Sequence, residues 1–128
     1  MKTLALVYDA GVLIAADRND RAIWAEQRVR LSAGIIPLVP ANVVAQVSRS
    51  NRQVQLRRFL RGCEVVPFDE ASAHEAGALL AKSGTADVVD ASVVQVAGRV
   101  CAEIVTTDPH DIGRLVSASS VRIAISRR

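Results

Sequence analysis

Short apolar runs alternate with helical stretches from one end of the chain to the other. Residues 4–8, 35–39, 63–68, 102–107 and 121–125 are brief and rich in Val, Ile and Leu, as buried strands are. Between them, residues 20–32, 41–50, 53–61, 71–82, 86–100 and 109–116 carry helical spacing or helix boundary signals. Gly34, Gly62 and Ser83-Gly84 close helices, Asp69 and Thr85 are placed to cap them, and Pro109 suits a first turn. Such alternation predicts an α/β fold: a central, mostly parallel sheet of four to five strands flanked by helices. With 128 residues, half of them hydrophobic, one domain spanning 1–128 can bury its own core.

Composition removes several function classes. Aromatic residues are 3% of the chain, too few for a sheet that stacks bases. Cys63 and Cys101 form no CxxC pair and have no histidine close in sequence, so neither a zinc site nor a redox pair is expected, and both read as small buried residues. Asp9 interrupts what would otherwise resemble the start of a signal peptide, and no run approaches the ~18 apolar residues of a membrane span. A soluble cytoplasmic protein without membrane attachment is expected.

Chemistry is suggested by the aspartates. Asp9 and Asp108 each follow an apolar strand, and active sites of open parallel sheets form at the carboxyl ends of strands. If those two strands are neighbours, the carboxylates converge. Asp87 and Asp90, three apart at the start of a helix, would lie on one side of its first turns. Clustered carboxylates suit a hard cation such as Mg²⁺ or Mn²⁺, which activates water and orients a phosphodiester. Each also has a plainer reading: Asp9, Asp87 and Asp108 are all placed to cap or begin helices. Asp90 sits deeper in an apolar helix, where a carboxylate is harder to explain without a site. His74, His110, Asp111 and the pair Asp69-Glu70 read as surface or capping residues.

The net charge of +3 is unevenly spread. From Gln27 to Cys63 there is no acid, while Arg28, Arg30, Arg49, Arg52, Arg57, Arg58 and Arg61 supply seven positive charges. Joining the chain ends would set a carboxylate cluster beside a basic surface, as an enzyme acting on polyphosphate requires. Arg49, Arg52, Arg57 and Arg58 are therefore candidate RNA contacts, against the alternative of a solvated helix face.

Three segments together resemble PIN domains, in particular VapC toxins of mycobacterial type: Tyr8-Asp9-Ala10-Gly11-Val12-Leu13, Asp87-Val88-Val89-Asp90-Ala91-Ser92-Val93-Val94, and Val105-Thr106-Thr107-Asp108-Pro109-His110-Asp111-Ile112. The similarity spans nearly the whole chain. It implies a PIN-like sheet, a ribonuclease dependent on Mg²⁺ or Mn²⁺, a VapB-type antitoxin partner and a homodimer. It implies Asp9, Asp90 and Asp108 as catalytic metal-binding acids with Asp87 adjacent, Thr107 as a supporting hydroxyl, and products with a 5′-phosphate and a 3′-hydroxyl.

One position departs from the family pattern. The glutamate usual on the helix after the second strand corresponds to Gln46, which keeps a carbonyl oxygen but lacks a charge. A degenerate PIN domain that binds RNA or antitoxin with weak catalysis is the alternative this raises. A haloacid-dehalogenase phosphatase would need an aspartate where Gly11 stands, and a receiver domain would need one after the middle strand, where Val39-Pro40-Ala41-Asn42 has none.

Overall fold

The computed structural model describes residues 5–107, 109–119 and 125–127. The elements run β1 (Leu6–Tyr8), α1 (Ala10–Asp17), α2 (Arg21–Ser32), β2 (Leu38–Pro40), α3 (Ala41–Val47), α4 (Val54–Leu60), β3 (Glu64–Val66), α5 (Glu70–Ser83), α6 (Val88–Val100), β4 (Glu103–Thr106), α7 (Pro109–Ala118) and β5 (Ile125–Arg127). The strands form one parallel sheet in the order β3-β2-β1-β4-β5, with Val7 opposite Leu38 and Tyr8 opposite Val105. The α/β class and the mostly parallel sheet expected from the sequence are both present.

This order explains the helix layers. From β1 the chain steps outward to β2 and β3, then crosses back to β4 and β5 on the other side. Right-handed crossovers therefore place α1–α4 on one face and α5–α7 on the other. The packing largely follows: α1 touches α2, α3 and α4, and α5, α6 and α7 touch one another, while α3 also reaches α6. The core they enclose is mainly aliphatic, with Val7, Leu13, Val39, Val43, Val93 and Ile104 buried.

Local chemistry sets most boundaries. Asp20 accepts from the amides of Ala22 and Ile23 and starts α2. Gly34, at φ +79°, reverses the chain so that Gly34 and Ile35 donate to the last carbonyls of that helix. Asp69 caps α5 through Ser72, and Gly84 ends it in the left-handed conformation.

Several expectations need correction. The helix expected over residues 41–50 stops at Val47, because Gln53 folds back across the connection. Its carbonyl oxygen accepts from the amides of Arg49 and Ser50, and its amide donates to Val47 and Asp17. The late helix is capped by Asp87, not Thr85, whose hydroxyl instead meets Ser83 at 2.7 Å. The reading of Asp9 as a helix cap holds, since α1 follows it directly. Cys63 is half-buried, with its thiol pushed up to about 11 by desolvation, but Cys101 is exposed at φ 55°, ending α6. Its burial was expected from composition; its position past a helix end leaves no core beside it. The last strand includes Ile125–Arg127, and residues 121–124 of the expected strand lie outside the described residues.

Candidate functional site

In a doubly wound sheet, a crevice opens where neighbouring strands send their chains to opposite sides. Here that point lies between β1 and β4, which are adjacent. Asp9 leaves β1 there, its amide donating to Val105 at 3.2 Å. One carboxylate oxygen caps α1 by accepting from the Val12 amide at 3.3 Å, while the residue is only 5% exposed. The other accepts from the buried Thr106 hydroxyl. Desolvation pushes the Asp9 carboxyl above the usual carboxylate range, outweighing the hydrogen bonds from Thr106 and from backbone amides that oppose it.

The approach of α1 to the exit of β4 depends on Gly11. A Cβ there would fall 1.8 Å from the Thr107 hydroxyl oxygen and 2.8 Å from the Thr107 Cβ. No side chain fits in that space, so the two strand exits stay in contact. Thr107, expected to add a hydroxyl, is exposed; the hydroxyl that bonds Asp9 belongs to Thr106. The sequence reading missed Thr106. The signal was available in the alternation of strand faces, since the register puts Thr106 one step beyond the Tyr8–Val105 pair, beside Asp9.

Helix α6 brings the second group of acids. It is joined to β4 through only Cys101 and Ala102 and returns alongside that strand, so its amino end reaches the carboxyl edge of the sheet. Asp87 caps this end by accepting from the Asp90 amide at 3.0 Å. Asp87 is exposed and Asp90 half-buried. Both line a cavity of about 280 Å³ with Gly84, Thr85, Arg114 and Leu115, so α7 contributes a guanidinium that the sequence reading had not singled out. Asp108 lies outside the described residues, between Thr107 and the start of α7.

Helix α3 packs against both α1 and α6. Gln46 is exposed on it, and Asn42, one turn earlier, has a buried amide nitrogen with no hydrogen-bond partner among the described residues. Asn42 also went unnoticed in the sequence. Of the arginines, Arg49 binds the Ser48 carbonyl and Arg52 lies in the following turn, both exposed. Arg57 and Arg58 are exposed on α4, and the Arg58 guanidinium lies 5.7 Å from the centre of the Trp24 ring.

The donor chemistry suits a hard divalent cation. Asp9, Asp87 and Asp90 offer carboxylate oxygens, and a cation would relieve the desolvation that disfavours ionised Asp9. Among the described residues, no group of three His, Cys, Asp or Glu side chains is assembled tightly enough to hold a metal by itself.

No match is found among curated proteins. Solved structures are similar in fold at low identity. A chain of VapBC2 from Rickettsia felis, bound to a DNA fragment from their promoter, superposes with a TM-score of 0.71 at 15% identity, covering 98% of this chain and 99% of that one. A toxin-antitoxin complex from Klebsiella pneumoniae gives 0.63 at 16%, covering 83% and 88%. FitAcB from Neisseria gonorrhoeae gives 0.61 at 14%, covering 95% and 96%. The PIN domain family model matches residues 6–115. With that match over most of its length, and a parallel sheet whose carboxyl edge carries Asp9, the chain belongs to the PIN domain family.

Proposed function

We propose that the protein is a divalent-cation-dependent ribonuclease acting in the cytoplasm as the toxin of a toxin–antitoxin pair. PIN domains are generally nucleases, and the solved neighbours include toxin–antitoxin complexes. The observation that carries the reading is the buried carboxylate of Asp9 at the β1/β4 crevice, raised in pKa and with no cationic side chain among its hydrogen-bond partners in the described residues. Burying a carboxylate in this way is costly unless it serves a site.

In this reading Asp9, Asp90 and Asp108 hold Mg²⁺ or Mn²⁺, with Asp87 beside them. When bound, the cation supplies an activated water and neutralises charge on the phosphate. The chain's own groups do the remaining work. Thr106 fixes the orientation of Asp9, and Asp87 holds the start of α6 so that Asp90 keeps its place. Arg114 offers a guanidinium to a phosphate oxygen in the cavity that Asp90 lines, and the Asn42 amide lacks an acceptor that substrate or ordered water would provide. The partners are RNA, a VapB-type antitoxin and a second copy of the chain.

A weakly catalytic PIN domain is the second reading. It is favoured by Gln46, an uncharged and exposed residue on a helix that carries no acid. Cleavage of a labelled single-stranded RNA by purified protein in Mn²⁺ separates the two. Asp9→Asn and Asp90→Asn are each expected to reduce the cleavage rate at least about 100-fold, on the order of 3 kcal/mol in activation free energy. Cleavage retained in both folded variants would defeat the proposed site. Absence of cleavage in the unaltered protein would favour the binding-only reading.

A further inference from the structure

A cleft separate from the carboxylate edge lies between α2 and α4. Its cavity is about 480 Å³ and is lined by Asn19, Arg21, Trp24 and Arg28 from the start and outer side of α2, and by Gln55 and Arg58 from α4. The spacing creates it. Arg21, Trp24 and Arg28 stand at i, i+3 and i+7, on one side of α2, while the buried Ile23 and Gln27 lie toward the core. Gln55 and Arg58, three apart, face them from α4.

Three features set the chemistry of this cleft. First, it is cationic without compensation: no carboxylate lines it, and among the described residues Arg21, Arg28 and Arg58 form no ion pair. The acids nearest in sequence are engaged elsewhere, Asp20 in capping α2, Asp17 with Gln53 and Glu26 with Arg30. Second, the indole is rigidly held. Its nitrogen donates to the Ala16 carbonyl at 3.0 Å, and Phe59 packs against it at 81° with ring centres 5.1 Å apart. Third, the Arg58 guanidinium lies over that indole, 5.7 Å from its centre. A guanidinium resting on a fixed aromatic ring directs its donors outward with little entropy left to lose.

We propose that this cleft is a docking site for the phosphate backbone of single-stranded RNA, remote from the carboxylates. The choice of RNA rests on the ribonuclease reading above. The cleft favours it through three cations grouped around one indole, with Arg58 held over the ring, which offer contacts to successive phosphates. Its distance from the carboxylates follows from the fold. Asp9 caps one end of α1 and Asn19 follows the other, so about 12 Å of helix separates them, roughly four nucleotides at the ~3.4 Å axial rise per nucleotide of a stacked strand. A strand engaged at both places would be held over several nucleotides. That would favour long single strands over short ones.

Binding can be measured apart from cleavage. A labelled oligouridylate of about sixteen nucleotides, titrated in EDTA and followed by fluorescence anisotropy, reports the cleft without turnover. Combined Arg21→Gln, Arg28→Gln and Arg58→Gln substitutions are expected to weaken binding roughly tenfold or more and to lower the slope of log K against log salt by about 2. The corresponding three lysine substitutions should restore most of the slope. If the glutamine variant binds with unchanged affinity and slope, the cleft proposal is overturned even where Mn²⁺-dependent cleavage is seen. If the variant loses binding while the unaltered protein shows no cleavage, the cleft stands and the nuclease reading falls. A polyglutamate peptide that binds the unaltered protein through these arginines, while RNA does not, would assign the cleft to an acidic protein partner and overturn the RNA assignment.

Discussion

Tyr8 and Asp9 are consecutive, both buried, and their surroundings differ in kind. The Tyr8 hydroxyl donates to Gln27 at 2.6 Å and accepts from Arg30 at 2.9 Å, with the same guanidinium 5.5 Å from its ring centre and Phe59 stacked against the ring. That network is complete and carries its own cation. Asp9 has the Thr106 hydroxyl and backbone amides as hydrogen-bond partners, and its carboxyl is pushed toward the protonated form. A polar group buried for stability is surrounded by what it needs, whereas one kept for chemistry is left with part of its requirement unmet.

The strongest test of this contrast is alkaline unfolding. Burial pushes the Tyr8 phenol from 10.0 up to about 12. The folded protein therefore keeps its proton where the unfolded chain loses it. Its contribution to stability is full below pH 10 and declines as pH rises toward 12, by about 2–3 kcal/mol in all. Denaturant midpoints measured across that range should fall more steeply for the unaltered protein than for Tyr8→Phe. Equal slopes would mean that the phenol is not held protonated by burial.

Asp9→Asn should act in the opposite sense. It removes a charge that burial disfavours and retains an oxygen for Val12, so without metal the variant is expected to be more stable at neutral pH by about 1 kcal/mol. The raised carboxyl predicts that the advantage vanishes at acid pH, where Asp9 itself is protonated in the folded protein. Addition of Mn²⁺ should raise the melting temperature of the unaltered protein but not of this variant. A variant less stable than its parent at neutral pH would show that Asp9 is mainly structural. The smallest expected effect is at Gln46. Gln46→Glu restores a charge to α3 and should tighten Mn²⁺ binding several-fold by calorimetry, and an unchanged titration would place that side chain outside the metal's reach.

How much the sequence revealed depended on the range of the forces involved. Helix starts at Asp20 and Asp69 and ends at Gly34 and Gly84 were legible because caps and left-handed turns act within a few residues. The strand alternation was equally readable, and with it the edge on which Asp9 and Asp90 lie. The early end of α3 was not, because it depends on Gln53, a residue outside the helix it stops. Thr106 and Arg114 were missed for a similar reason: what distinguishes each is a neighbour from another element. The arginine stretch was noticed as charge, but its grouping with Arg21 and Trp24 required the packing of two helices.

The contact between Gly11 and Thr107 has an evolutionary consequence. Because a single added carbon at position 11 would overlap the threonine, enlargement there has to be preceded by a smaller residue at 107 or by separation of the two strand exits. Neither step is neutral if the gap sets the spacing of groups around a cation. Positions 11 and 107 are thus expected to change together among descendants of this protein, although neither supplies a carboxylate.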